Sequence, residues 1–156
     1  MKKISYIENM QEWYDGFSFY IPVKVRFSET DMLGHMNNTA PFVYFEEARI
    51  EFLKSYGTFG EIHKEAESVP VAADLQCDFL QQVYFDQVLK VFVKIHYIGN
   101  TSYDLHYMAI NEKEEVCLTA RGRIVQINPN TGKPVEIPRE IKEAAALMEV
   151  GNTSSS

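Results

Sequence analysis

The sequence predicts an α+β fold, a curved antiparallel sheet of about five strands wrapped around one long central helix. Three observations carry that expectation. Four runs between residues 71 and 127 alternate apolar and polar side chains, the period-two mark of half-buried strands. One apolar stretch, residues 41–56, follows helical spacing instead. The breaks between the last three runs are short and polar, as in antiparallel neighbours joined by tight turns. A sheet with one apolar face and a single apolar helix each supply the burial that the other lacks.

Taken in order, residues 1–17 show no clear period, and Asp15-Gly16 reads as a turn. Phe19 to Phe27 alternates around Ile21, Val23 and Val25 and is expected as the first strand. The helix follows from about Pro41 to Tyr56. Pro41 suits its first turn, Asn38 or Thr39 its cap, and Gly57 its exit. Phe42, Phe45, Ala48, Phe52, Leu53 and Tyr56 share one face. Val43, Tyr44 and Ile50 widen that stripe, so the helix is expected to be enclosed rather than laid on a surface. The strands are expected around Val71–Phe79, Leu89–Tyr97, Tyr103–Ala109 and Val116–Ile127, the last three as a meander. A turn at 128–132 leads to a short amphipathic helix using Ile137, Ile141, Ala144, Ala145 and Met148. Residues 1–150 form a single domain, and the tail 151–156 is expected to be disordered.

Composition removes several classes of function. The 156 residues are enough for one real core, and 46% are hydrophobic, which argues against disorder. A net charge of -7 without a dense basic run makes a poor nucleic-acid binder. No apolar run approaches the length of about 18 residues that a membrane span needs. The N-terminus lacks the apolar core of a secretory signal, so a cytoplasmic location is expected. Cys77 and Cys117 lie in strand-like runs and read as core thiols. His63, His96 and His106 have no metal-ligand spacing, so no metal is expected.

The chemistry concentrates between the first strand and the helix. Residues 31–38 read Asp-x-x-Gly-His-x-Asn-Asn, which sets a carboxylate, an imidazole and two amides at the mouth of a helix N-terminus. Unpaired N–H groups and positive dipole character at such an end can stabilise an oxyanion, so the pattern suits acyl transfer. A lone Asp before a helix is more often a cap or a turn residue; the Gly-His-x-Asn-Asn that follows favours catalysis. Gly34 suits close approach or a positive φ, and Asn37 and Asn38 suit ties between loop and helix.

This order of elements, with Phe27–Asp31, Gly34–Asn38, Tyr44–Arg49 and the late run 120–138, resembles the hotdog-fold thioesterases of the 4-hydroxybenzoyl-CoA type over about residues 20–148. The resemblance implies a catalytic Asp31, as nucleophile or as general base on water, and an oxyanion donor at about the Asn38 N–H. It implies an acyl-CoA substrate, whose coenzyme is not a resident cofactor, and a homodimer or homotetramer with its sites at subunit interfaces. The loop also resembles that of plant acyl-ACP thioesterases, with Leu33 where those enzymes carry Asn. His35 is then a catalytic candidate that orients water or substrate, or a residue that holds the loop. Gly34, Asn37, Tyr44 and Glu47 are candidates for the substrate site, with Glu47 the reserve carboxylate. Arg121, Arg123 and Lys133 are candidates for gripping coenzyme phosphates, against the plainer reading of a solvated strand edge. Beside acyl-CoA hydrolysis stand an acyl-ACP thioesterase, a non-catalytic acyl-thioester binding module and a hydratase.

Overall fold

The computed structural model describes residues 3–57, 67–148 and 151–152. Helix α1 (Met10–Asp15) precedes strand β1 (Phe19–Lys24), helix α2 (Ala40–Ser55) and strands β2 (Val69–Phe79), β3 (Val88–Ile98), β4 (Ser102–Ile110) and β5 (Val116–Ile127). Helix α3 (Arg139–Leu147) and a two-residue strand β6 (Gly151–Asn152) complete the described elements. The five long strands form one antiparallel sheet in the order β1-β3-β4-β5-β2. Strand β6 adds a short parallel pairing to Tyr97 and Ile98, so the first two residues of the expected disordered tail join the sheet. Residues 153–156 lie outside the described residues, as does His63.

Alternation decides which face each side chain takes. Leu89, Val91, Val93 and Ile95 of β3, Tyr103, Leu105, Tyr107 and Ala109 of β4, and Leu118, Ala120 and Ile124 of β5 share one core with α2. The helix supplies Tyr44, Phe45, Ala48, Phe52 and Leu53 to it, packing mainly against β3 and β1. Phe42 and Val43 on the helix stay exposed. The wide apolar stripe is thus only half used by the chain's own sheet.

Strand β1 is shorter than its alternation suggests. It ends at Lys24, and a single 3-10 turn at Phe27–Glu29 carries Phe27 out to 77% exposure. Beyond Lys24 the backbone pairs instead with the loop before β3, through Val25 N to Gln87 O (2.9 Å) and Asp86 N to Val25 O (3.0 Å).

The largest departure from the sequence reading is on the sheet's other face. Residues 3–17, which carry no legible period, fold into a strap across it. The Asn9 side chain caps α1 by accepting from Glu12 N (3.0 Å), and Trp13 and Phe17 pack on Met108 and Ile110. Tyr6 Oη donates to Asp78 Oδ2 (3.0 Å) and lies 2.8 Å from Thr119 Oγ1. Trp13 Nε1 donates to His106 Nδ1 (2.8 Å), and His106 stacks on His96 at 3.9 Å. With α2 on one side and the strap on the other, β4 is buried on both faces rather than half-buried. Cys117 is buried and its thiol is pushed up by that burial, while Cys77 is partly buried against the core.

Gly122 marks the tightest approach in the sheet. A Cβ there would meet Asp74 O at 2.9 Å and Leu75 Cδ1 at 3.0 Å, beside the irregular register of β2 between Ala72 and Asp74. Gly122→Ala should therefore lower stability by about 1–3 kcal/mol through overpacking, read as a fall in the thermal midpoint.

Candidate active site

The loop between β1 and α2 is built by backbone pairing. Thr30 and Met36 form a bridge that closes it, and His35 bridges to Tyr84 in the loop before β3. Met36 N donates to Val83 O (2.7 Å) and Phe85 N to Gly34 O (3.0 Å). Between the two arms the chain turns tightly at 31–35. Gly34 N donates to Asp31 O (3.1 Å), Asp31 N donates to His35 O (2.7 Å), and Gly34 takes φ +79°. A residue with a Cβ disfavours that conformation, which accounts for glycine at this position.

This turn holds the Asp31 carboxylate asymmetrically. Oδ1 accepts from Leu33 N (2.8 Å) and His35 N (3.1 Å), while Oδ2 has no hydrogen bond among the described residues. The His35 Nδ1 lies 4.0 Å from Oδ2, too far for a hydrogen bond, and its ring rests edge-on against Tyr84. One carboxylate oxygen is anchored by the backbone and the other is not.

Asn37 organises the entry to α2. Its Oδ1 accepts from Thr39 N and Thr39 Oγ1 (3.1 Å each), its carbonyl accepts from Ala40 N (3.0 Å), and its N–H donates to Glu29 O (2.7 Å). The Asn37 amide is thus a tie between loop and helix. The next N–H, that of Asn38, has no partner among the described residues. It stands at the positive end of α2, where an anion is stabilised.

A cavity of about 520 Å³ opens between this loop and the segment linking β2 to β3. Asp31, His35, Met36, Asn37 and Asn38 form one wall; Phe79, Leu80, Gln81, Gln82 and Val83 form the other. The motif therefore converges on one space with a partly apolar floor. Nothing in the motif announced the second wall, which lies more than 40 residues away; its only trace is the end of the β2 alternation at Phe79.

Residues 25–145, most of the chain, match the thioesterase-like superfamily. The chain belongs to that superfamily. Its relatives include YsmA of Bacillus subtilis, described only as uncharacterized, which is 43% identical over 92% of this chain and 96% of its own length. The acyl-CoA thioesterase YbgC of Haemophilus influenzae is 25% identical over 83% of this chain and 94% of its own. A Bacillus stearothermophilus structure described as a predicted thioesterase superposes with a TM-score of 0.74 at 31% identity, covering 87% and 98% of the two chains.

Within this thioesterase-like chain the remaining candidates are scattered. Tyr44 is buried and donates from Oη to Glu29 Oε1 (2.9 Å), outside the cavity lining. Glu47 is exposed on α2 and does not line the cavity either. Arg49 pairs loosely with Glu46 (3.9 Å) and donates to Tyr107 Oη (3.2 Å). Arg121 and Arg123 are not brought to the cavity. They alternate with the core residues Ala120 and Ile124, and so lie on the strap side of the sheet. There Arg121 pairs with Asp74 (3.1 Å) and Arg123 with Asp104 (3.0 Å). Both arginines sit on β5, between β4 and β2, and not on a sheet edge. No cluster of three or more His, Cys, Asp or Glu among the described residues is arranged to hold a metal. No helix among them is long and apolar enough to cross a membrane.

Proposed function

We propose that this chain is an acyl-CoA thioester hydrolase of the 4-hydroxybenzoyl-CoA type, with Asp31 as its reacting carboxylate. One observation carries the reading: Asp31, with an unengaged carboxylate oxygen, and Asn38, with an unpaired N–H before the helix, line the same cavity. With the thioester carbonyl oxygen on the Asn38 N–H, the developing oxyanion would be stabilised as it forms. Oδ2 of Asp31 then either attacks the carbonyl carbon or takes a proton from an attacking water. The first route expels the coenzyme thiolate and leaves an acyl-Asp31 anhydride for water to cleave. The second gives acid and thiol directly. Either suits a thioester, because a thiol with a pKa of about 8.5 leaves without a strong general acid. His35, beside Oδ2 but not bonded to it, orients the water or the acyl carbonyl.

The name of the Haemophilus relative supports acyl-CoA as the substrate class. The fold needs no resident cofactor for this chemistry, and its place would be the cytoplasm. The exposed Phe42 and Val43 on α2, and β2 at the open end of the sheet, support a homodimer or homotetramer that encloses the helix. The test is thiol release from a panel of aryl, short-chain and long-chain acyl-CoAs. Turnover of at least one is expected. If the chain binds acyl-CoA but releases no thiol, the hydrolase reading falls and a binding role replaces it; turnover of acyl-ACP alone moves the substrate to the carrier protein.

A further inference from the structure

Glu29 lies outside the Asp31–Asn38 motif and does not line the cavity, yet three strands of the site's architecture meet on it. Its side chain is only 12% exposed. Oε1 accepts from Tyr44 Oη (2.9 Å) and from Arg26 N (2.9 Å), and Oε2 accepts from the Arg26 guanidinium (2.8 Å). Its backbone carbonyl accepts from Asn37 N (2.7 Å). One residue thus grips the outgoing arm of the loop, the returning arm and the second turn of α2.

We propose that Glu29, working with Tyr44, is the positioning residue that sets the Asn38 N–H in register with the Asp31 carboxylate; this rests on the hydrolase reading above. The geometry gives the reason. Asn37 donates its N–H to the Glu29 carbonyl, so the Asn37–Asn38 stretch that lines the cavity is tied to Glu29 at its start. Asp31 follows Glu29 by two residues, so the same anchor fixes where the carboxylate begins. Tyr44 is buried, with 1% of its surface exposed, and Glu29 is the partner its hydroxyl has. A buried phenol held to a half-buried carboxylate resists rotation of either, which ties the loop to a rigid helix. The Arg26 guanidinium holds the Glu29 carboxyl below the usual range, so the anchor stays ionised at neutral pH. A misplacement of about 1 Å in a reacting group can cost about a hundredfold in rate. Glu29 would act wholly through that placement.

The experiment compares Glu29→Gln, Tyr44→Phe and the double variant in thiol release, alongside the backbone amide resonance of Asn38 in ¹⁵N-labelled protein. Wild-type turnover is measured first, so failure of the hydrolase reading is seen separately from failure of this one. Each single variant is expected to lose about tenfold or more in kcat with KM changed by less than threefold. The Asn38 amide should shift in both, and the double variant should lose little more than the worse single. Glu29→Asp, which keeps the charge, should recover part of the lost kcat. Variants that fold and melt as wild type but keep kcat within twofold, with the Asn38 amide in place, overturn the proposal. So does a loss carried by KM alone. If wild type proves inert on every acyl-CoA, the amide response by itself decides whether Glu29 holds the loop.

Discussion

Asp31→Asn should leave thiol release at least about a hundredfold below wild type on whichever acyl-CoA turns over best, within the range that general acid–base or nucleophilic groups supply. The substitution is nearly isosteric, so the turn around it should survive. Its side-chain oxygen can still accept from Leu33 N and His35 N, the bonds that Oδ1 accepts in wild type. On the proposed mechanism only the reacting oxygen is lost, because the amide nitrogen that replaces Oδ2 can neither attack nor take a proton. Binding of a thioether analogue should stay within a few-fold of wild type. Steady-state kinetics and calorimetry separate the two effects. Full activity in Asp31→Asn would remove the assignment and send the test to Glu47, although Glu47 does not face the cavity.

The second large effect lies on the opposite face of the sheet. Trp13→Ala should cost about 3–5 kcal/mol, the usual loss for truncating a buried aromatic residue. It removes the ring packed at 4.7 Å against Phe17 and also strips His106 Nδ1 of its donor. Trp13→Phe keeps most of the packing and should cost less, about 1–3 kcal/mol, the penalty for an unsatisfied buried acceptor. The same pair makes the fold acid-sensitive. Burial, then the neighbouring His96, Lys94 and Arg121, push the His106 pKa down to about 2. The unfolded chain binds a proton there near pH 6.5, whereas the folded chain does not. The His106 contribution to stability should therefore be constant well above that pH and fall below it by about 1.4 kcal/mol per pH unit, a loss of about 2 kcal/mol at pH 5. His96, also shifted down by burial, acts in the same direction. The paired carboxylates Glu29 and Asp74 have lowered pKa values, so their contributions are lost only at more acid pH. His106→Gln, which keeps an acceptor but does not titrate there, should flatten the curve between pH 6.5 and 5. Urea midpoints across that range would check it.

The sheet was legible because alternation is a strong local signal and its strands meet through short turns. Strands β2 to β5 fall within a few residues of where their patterns place them. The helix was legible from Pro41 and its apolar stripe. Two features escaped for a common reason, that their partners are remote in sequence. The N-terminal strap has no period of its own, since Tyr6 and Trp13 are placed by Asp78, His106 and Thr119. The far wall of the cavity is placed by bridges from His35 and Met36 to the 83–84 segment. At the site, the motif placed Asp31 and Asn38 close together but did not reveal the unequal hydrogen bonding of the two Asp31 oxygens, which depends on a backbone turn. The face taken by Arg121 and Arg123 was not legible either, because charge on a strand does not say which face it takes; the register does.

Trp13 is the single tryptophan of the chain. Its indole is buried in the strap against His106 and beneath the Lys94 ammonium, far from the Asp31 loop in the sense that a whole sheet lies between. Intrinsic emission excited in the indole band would therefore report on one place only, the seating of residues 3–17 on the back of the sheet. Far-ultraviolet dichroism would report on the strands. Recorded together during denaturation, the two signals form a built-in comparison: coincident curves mean that strap and sheet melt as one unit, and an earlier emission change means that the strap peels away from a sheet that still stands.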